Sequence, residues 1–429
     1  MRAVRVNKIK SETDTVVGSP RLALSPLSYT DSGFILENDI QIGNTPEHHA
    51  GMIYVQDPGA MATVNALDIE SGWWVADLCA APGGKSTQLA EKIGPSGFLL
   101  ANEFVPKRAK ILVSNLERLG VTNALVTSLD TGELPAMFPE VFDLVLTDAP
   151  CSGEGMLRKY DAASEEWSEE NVALSAKRQS EILDNAARLV RRGGYLLYST
   201  CTYSEEENEE QITRFLDRHG DFEIIPVREK LVGVTSDGLA GDGRPEAIKH
   251  TRRFYPHKSR GEGQYIALMR RAGDGERGKI AFRDCARALP RDKASAVEAF
   301  FKDSLTDIPR GRLAEVGENL VLITHPSPIP RHSVFMSGIL VGEVRHGILH
   351  PSHQLASALG RCFKRQVELS GSEELYKKYL GGEEIPDPQG IDNGWCAILF
   401  CGAPLGLGKI SGGVIKNHYP KGLRTKNTV

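Results

Sequence analysis

Trp74-Val75-Ala76-Asp77 is an apolar run that closes on an acid, and Leu78-Cys79-Ala80-Ala81-Pro82-Gly83 carries it directly into Gly84-Lys85-Ser86-Thr87-Gln88-Leu89-Ala90-Glu91-Lys92. The order predicts a strand, a tight glycine turn and the first turns of a helix. Such a junction sets backbone N–H groups and the positive end of a helix at a strand's C-terminal edge. In an open α/β sheet, that edge is where ligands bind. Two later stretches are expected at the same edge, Thr147-Asp148-Ala149-Pro150-Cys151-Ser152-Gly153 and Tyr198-Ser199-Thr200-Cys201-Thr202, and each carries a cysteine.

From Trp73 to about Arg271 the pattern alternates between strand and helix. Phe98 to Glu103 is a second apolar run ending in an acid, and Ala109, Leu112, Leu116 and Leu119 then form one buried helical face that Gly120 stops. Ala124 to Asp130 and Phe142 to Asp148 repeat the strand-to-acid pattern. A helical stretch near Ser175 to Arg191 carries the stripe Ile182, Leu183, Ala186, Leu189 and Val190. Gly193-Gly194 breaks it ahead of the Tyr195 to Cys201 strand, and Gly263 to Met269 is the last strand. Alternating units of this kind predict a parallel, doubly wound, Rossmann-like α/β sheet over residues 71–271.

The flanks are less regular. Residues 1–70 read as a short, irregular N-terminal extension, with a strand-like Arg2 to Ile9 and a short helix over Ala60 to Leu67. His48 and His49 lack a second ligand pair, so a surface or capping role is expected and no metal site is assigned. Residues 272–282 hold the charged, glycine-rich stretch Ala272 to Gly278 and read as a linker. Residues 283–429 read as a smaller α+β or β-barrel-like domain, with strand-like Leu320 to Ile323, Gly338 to Val341 and Trp395 to Phe400, and a helical piece over His353 to Leu359.

No apolar run approaches the roughly 20 residues of a membrane span. The first residues lack a signal peptide's apolar core. Seven cysteines without a C-x-x-C pair fit a reducing cytoplasm better than a disulfide framework or a zinc site. The net charge of −5 hides a gradient: from Arg283 onward there are 19 basic against 15 acidic residues, and 32 against 41 before it. Lys409 to Val429 has five basic residues and no acid, which suits a polyanionic partner or equally a solvated terminus.

Asp77, Glu103, Asp130 and Asp148 close four strands in succession, so their carboxylates are expected to rim one crevice. An acid after the second strand suits the two hydroxyls of a ribose, and one after the third suits an adenine amino group. The glycine turn is not G-x-G-x-x-G. Gly84-Lys85-Ser86 resembles the end of a phosphate-binding loop, which keeps an NTPase as an alternative, although Cys79 stands where that loop needs glycine. Cys151 and Cys201 fall at turns on the ligand edge, and a helix start after Cys201 would favour its thiolate, the nucleophilic form. Ser204-Glu205-Glu206-Glu207 fits a capping box, which assigns those acids to helix initiation.

Asp77-Leu-Cys-Ala-Ala-Pro-Gly-Gly-Lys85, Asp148-Ala-Pro-Cys-Ser-Gly153 and Ser199-Thr-Cys-Thr202 resemble the signature motifs of the NOL1/NOP2/Sun family of S-adenosylmethionine-dependent RNA cytosine-C5 methyltransferases. Tyr54-Val55-Gln56-Asp57-Pro58, Tyr255-Pro256-His257 and Gly261-Glu262-Gly263 add to the likeness, which covers nearly all of residues 1–271. The end of the chain, Lys416 to Arg424, is similar to the PUA-like tail of bacterial members that modify small-subunit ribosomal RNA. Family members usually carry more chain before Arg5-Val6-Asn7, so the resemblance implies a shortened or missing N-terminal RNA-binding portion.

The resemblance also implies roles. Cys79, Ala80, Ala81, Pro82, Gly83, Gly84 and Lys85 would wrap the methionine part of the cofactor, Glu103 would hold the ribose and Asp130 the adenine side. Asp148 would lie near cofactor and target base. Cys201 would add to cytosine C6, and Cys151 would assist release. The residues by themselves leave the choice of thiol open. Arg252-Arg253-Phe254-Tyr255-Pro256-His257-Lys258 mixes basic and aromatic residues suited to RNA. The expected function is C5 methylation of a cytosine in small-subunit (16S) ribosomal RNA by a monomer. The alternatives are transfer RNA methylation, an NTPase and an inactive RNA-binding assembly factor.

Overall fold

A computed structural model describes residues 2–156, 167–307 and 310–425. The first strands are β1 (Arg2–Val6), β2 (Leu24–Pro26), β3 (Gly33–Leu36) and β4 (Ile53–Val55). They form an antiparallel sheet in the order β2-β3-β1-β4, so the N-terminal segment is more regular than its sequence suggests. A short helix, Pro58–Val64, follows.

The central sheet contains β5 (Trp74–Asp77), β6 (Phe98–Asn102), β7 (Ala124–Thr127), β8 (Phe142–Asp148) and β9 (Val190–Thr200), parallel and in the order β9-β8-β5-β6-β7. Side chains alternate across it as a strand's period of two requires. Val75, Leu99, Leu144, Leu146 and Leu197 fill one face, and Ala76, Phe98, Leu100, Val145, Leu196 and Tyr198 fill the other. The helices Gly84–Ile93, Pro106–Arg118 and Glu169–Ala187 connect successive strands. Strand order reverses between β5 and β8, which is a switch point where a crevice opens beyond the strand ends.

The expectation of an all-parallel sheet fails at its far edge. After β10 (Phe222–Ile224) and β11 (Ser236–Asp237), β12 (Arg252–Phe254) and β13 (Gln264–Arg271) are joined through the short Pro256–Ser259 turn, too little chain for a parallel crossover. They pair as a hairpin, and β13 lies antiparallel on β9. The glycine pair also acts differently from its reading. The helix ends at Ala187 and β9 already runs at Val190, while Gly193 takes a φ of 76° beside a register shift in the β8–β9 ladder. Gly193 therefore bends a strand.

The C-terminal region holds β14 (Arg287–Ala288), β15 (Arg312–Val316), β16 (Asn319–Ile323), β17 (Val334–Ser337), β18 (Ile339–Arg345) and β19 (Ile348–Pro351). It continues with β20 (Gln366–Glu368), β21 (Ile385–Pro386), β22 (Gly394–Phe400), β23 (Ala403–Ser411) and β24 (Val414–Asn417). Two five-stranded sheets result, β14-β15-β16-β18-β19 and β20-β22-β23-β24-β21. Strand β17 instead pairs antiparallel with β7 and extends the central sheet. The glycine-rich stretch before this region is strapped down, because Arg277 pairs with Asp143 at 2.6 Å and lies over the Trp74 ring.

The two ends of the chain share a core. Val4, Val6, Phe34 and Ile53 pack in one buried cluster with Val367, Tyr376, Tyr379, Phe400 and Ile415. His49 belongs to this contact and His48 packs edge-on against it, both half-buried: His49 Nδ1 is 2.8 Å from the Tyr419 hydroxyl, and His353 meets the Tyr419 ring edge-on. Burial holds His48 near a pKa of about 3, and His49 and His353 near about 4. Each has a buried ring nitrogen with no partner, so an added proton would find no acceptor. These groups are neutral when folded and titrate near 6.5 when unfolded, so their contribution is complete above about pH 6.5 and is lost as pH falls towards 4. Urea midpoints measured from pH 7.5 down to pH 5 are expected to fall, and a flat series would contradict this packing.

Candidate active site

The turn after β5 is held from below. Asp77 is buried and accepts from Ser86 Oγ at 2.6 Å, which ties the end of the strand to the helix it feeds. Gly83 sits at φ 114°, a conformation that favours glycine. A Cβ on Gly84 would lie 3.1 Å from the Tyr54 ring, so the backbone here passes close to β4. Pro82 O accepts from Asn115, Ala81 O accepts from Arg108, and Ala80 N–H donates to Asn102 O. The turn is thus fixed by the two neighbouring helices and by β6.

Two clefts meet at Cys79. One, of 490 Å³, is lined by Cys79, Glu103, Phe104, Arg108, Asp130 and Ile182 among others. The other, of 190 Å³, is bounded by Asp77, Ala80 to Pro82, Gly84, Lys85 and Asp148, with Tyr54 and Met156 opposite. The four acids expected around one crevice are divided between these clefts, Glu103 and Asp130 in the larger and Asp77 and Asp148 in the smaller. Glu103 is buried; its Oε1 accepts from Val105 N–H at 2.9 Å, and Arg108 approaches Oε2 at 3.3 Å. Asp130 lies three residues beyond β7 on the exposed rim, its Oδ1 accepting from Gly132 N–H.

These residues fit S-adenosylmethionine. Asp77 Oδ1 is buried without a partner, and burial raises that carboxyl to a pKa of about 7. Such a group asks for a donor or cation beside it. Glu103 keeps lone pairs free for hydroxyl donors. Burial pushes the Cys79 thiol up, so it lines the junction as a neutral wall.

The chemistry-bearing groups lie one strand further on. Lys85 Nζ pairs with Asp148 Oδ2 at 2.7 Å, its side chain only 11% exposed, and Asp148 Oδ1 accepts from Ser199 Oγ at 2.6 Å. Burial works against the Lys85 ammonium, but the Asp148 carboxylate prevails and raises its pKa. Beyond the pair, Cys151 Sγ and Cys201 Sγ are 3.2 Å apart, and Cys201 N–H points at Cys151 Sγ from 3.3 Å. Both thiols are free. The Cys151 loop is sewn to the Cys201 turn by Ser152 Oγ to Thr202 Oγ1 at 2.9 Å, and by Gly155 N–H donating to Cys201 O. A Cβ on Gly155 would fall 2.7 Å from Cys201 O, so only glycine permits this approach.

Two sequence expectations need correction. In the Arg252 to Lys258 stretch, Arg252, Arg253 and Phe254 are buried; Arg252 pairs with Asp237 and Arg253 with Glu209. Their charges are consumed inside the fold, which leaves His257 and Lys258 exposed and Tyr255 half-buried, stacked between Tyr203 and His257. The Ser204 to Glu207 stretch is only half a capping box. Glu207 N–H donates to Ser204 Oγ, but the Glu207 carboxylate turns away to accept from Ser152 N–H and Gln179 Nε2, and the helix starts later, at Glu209. Sequence reasoning also passed over Gln179 and Glu154, and gave Ser199 no role of its own within its motif. Gln179 had left a signal, a polar residue seven positions after Val172 on an otherwise apolar face.

Comparisons with known proteins agree with this geometry. Residues 64–270 match the family described as 16S rRNA methyltransferase RsmB/F, residues 1–58 the N-terminal domain of 16S rRNA methyltransferase RsmF, and residues 366–425 the methyltransferase RsmF PUA domain. A ribosomal RNA small subunit methyltransferase F from Klebsiella pneumoniae is 33% identical, covering 98% of this chain and 90% of its own. The Vibrio vulnificus protein of the same name is 30% identical over 99% of this chain and 92% of its own. Among solved structures, a methyltransferase homolog from Pyrococcus horikoshii is 31% identical with a TM-score of 0.56, covering 63% of this chain and 86% of that one. The enzyme is an S-adenosylmethionine-dependent RNA methyltransferase with a Rossmann-like body and a C-terminal PUA domain. Its sequence, from the N-terminal sheet to the last strands, belongs to the RsmB/F family of 16S rRNA methyltransferases.

Proposed function

We propose that this enzyme methylates C5 of a cytosine in small-subunit ribosomal RNA, with Cys201 as the attacking thiol and Cys151 as the thiol that assists release. The observation that carries the reading is the 3.2 Å Sγ–Sγ contact beside the Lys85–Asp148 pair. Cytosine C5 is a poor nucleophile until a thiolate adds at C6. The Cys201 thiolate forms the C6–S bond, and electron density moves to C5. S-adenosylmethionine supplies an electrophilic methyl group on a sulfonium. After C5 has gained that methyl, Cys151 is placed to take the C5 proton, and the C6–S bond breaks to return the Cys201 thiolate. Lys85 and Asp148 stand between the cofactor clefts and the thiols, where Asp148 can accept from the cytosine amino group. Cys79 to Gly84, Glu103 and Asp130 are assigned to the cofactor.

Reaching C5 and C6 requires the base to leave any stack. Residues 71–271 are assigned the chemistry, 1–70 and 272–282 serve as flanking segment and linker, and 283–429 choose the RNA site. Support for the last assignment is a row across three strands: Trp395 lies opposite Lys409, and Lys409 opposite Lys416, with the His418 ring 4.6 Å from Trp395. Cations beside the half-buried Trp395 ring and the exposed His418 ring suit phosphate and unstacked bases. Lys426, the last basic residue of the tail, lies outside the described residues. The reading takes a monomer of 46.9 kDa working in the cytoplasm, where its substrate is assembled.

Small ribosomal subunits, naked 16S RNA and transfer RNA, each incubated with enzyme and labelled cofactor and then digested for mass spectrometry, test this reading. Labelled 5-methylcytidine is expected in the ribosomal samples. Label confined to transfer RNA would move the substrate to the other class.

A further inference from the structure

The surroundings of the two thiols differ, and one buried acid lies on the Cys151 side only. On the Cys201 side stands the Lys85 ammonium, paired with Asp148. On the Cys151 side the described titratable groups are Glu207 and the Tyr198 hydroxyl, while the Glu154 carboxylate accepts from Thr202 Oγ1 and Tyr203 N–H on the turn after Cys201. Glu207 is fully buried. Its carboxylate accepts from Ser152 N–H at 3.1 Å and from Gln179 Nε2 at 2.6 Å. Burial pushes this carboxyl up, and the two N–H donors, which favour the ionised form, work against that rise. Gln179 Nε2 also donates to Pro150 O at 2.9 Å, so the acid and the amide grip the chain on either side of Cys151.

A negative charge beside Cys151 disfavours a second one there. The contact with Cys201, burial and the Glu207 charge all push the Cys151 thiol up, while Cys201 is drawn down chiefly by the same contact, with help from Lys85 and opposition from burial and Asp148. We propose that Glu207 is a positioning residue: it fixes the Cys151 turn and, through its charge, keeps the proton shared by the two sulfurs on Cys151, leaving Cys201 to attack. Glu207 itself forms no bond and gives up no proton. As Cys201 adds to C6, the Cys151 proton passes to cytosine N3, where the charge of the addition collects. The Cys151 thiolate left behind, made more basic by the same Glu207 charge, then takes the C5 proton; the N3 proton is lost to solvent when the C6–S bond breaks. The inference rests on the thiol roles proposed above.

The test is the pH dependence of iodoacetamide alkylation of the full-length protein without RNA, each thiol being read by peptide mass spectrometry. In the unaltered protein, Cys201 is expected to label ahead of Cys151. Glu207→Gln is close to isosteric, and its new amide can donate to Gln179 Oε1, which is buried without a partner. The Cys151 inflection should then move to lower pH, and the Cys201-to-Cys151 labelling ratio at pH 7.5 should fall about tenfold, the change one pKa unit sets. An unchanged profile overturns the proposal. So does faster labelling of both thiols with unmoved inflections, which would make Glu207 a mere brace. Pairing Glu207→Gln with Gln179→Glu returns a carboxylate to the same hydrogen bond and should restore the original order. Should the single variant not fold, that exchange decides, and Cys151 labelling first would overturn the proposal. With RNA absent, failure here falls on Glu207 alone, because the thiol roles are tested separately by adduct formation.

Discussion

Replacing Cys201 by alanine is expected to reduce methyl transfer by on the order of 10⁴-fold or more, the scale on which losing a covalent nucleophile acts. Cofactor binding should be unchanged. Cys201 lines neither of the two clefts assigned to the cofactor, so its loss removes no contact there. Without addition at C6, the target carbon has no electron density to donate, and the neighbouring sulfur is a poor substitute. Cys151 is 3.2 Å away and faces the buried Glu207 charge instead of Lys85. Single-turnover transfer of a labelled methyl group, beside calorimetric titration with S-adenosylmethionine, separates the two effects. Transfer within tenfold of the unaltered enzyme would show that the nucleophile lies elsewhere.

The second large effect concerns stability. Arg253→Met is expected to cost about 3–5 kcal/mol, the usual penalty for stripping one partner from a buried ion pair. Arg253 is 3% and Glu209 0% exposed at the side chain. The guanidinium meets the carboxylate through two nitrogens, with Nε to Oε1 at 2.6 Å. The third guanidinium nitrogen donates to Tyr203 O, so the pair also anchors the segment just after Cys201. Removing the arginine leaves Glu209, among the described residues, with Leu239 N–H as its remaining side-chain donor. Urea denaturation of Arg253→Met, Glu209→Leu and the double variant measures this. The double variant should recover part of the loss, since it strands no charge. A loss below about 1 kcal/mol for Arg253→Met would place the pair in the class of surface ion pairs.

Much of the site could be read in the sequence because it is built from short segments. An apolar run closing on Asp77, Glu103 or Asp148 declares a strand end by its own pattern, and Gly83 declares the turn that follows. What escaped depends on partners far away in the chain. Arg253 reads as a surface cation until Glu209, 44 positions earlier, is known to face it. Glu207 had a sufficient local explanation as a cap, which concealed its reach to Ser152. The N-terminal strands gave no sign that Val4 and Phe34 would share a core with Phe400 and Ile415, because nothing local records a contact across more than 350 residues. The antiparallel β13 is a related case: its side-chain pattern is that of any buried strand, and direction is set by the turn before it.

The claim that Cys201 attacks and Cys151 releases is tested most directly by comparing Cys151→Ala with Cys201→Ala, each incubated with S-adenosylmethionine and small-subunit ribosomal RNA. The readout is a protein–RNA adduct that survives denaturation. The account predicts accumulation with Cys151→Ala, where attack proceeds and release stalls, and none with Cys201→Ala. An adduct that accumulates with Cys201→Ala and is absent with Cys151→Ala would reverse the two thiols and contradict it.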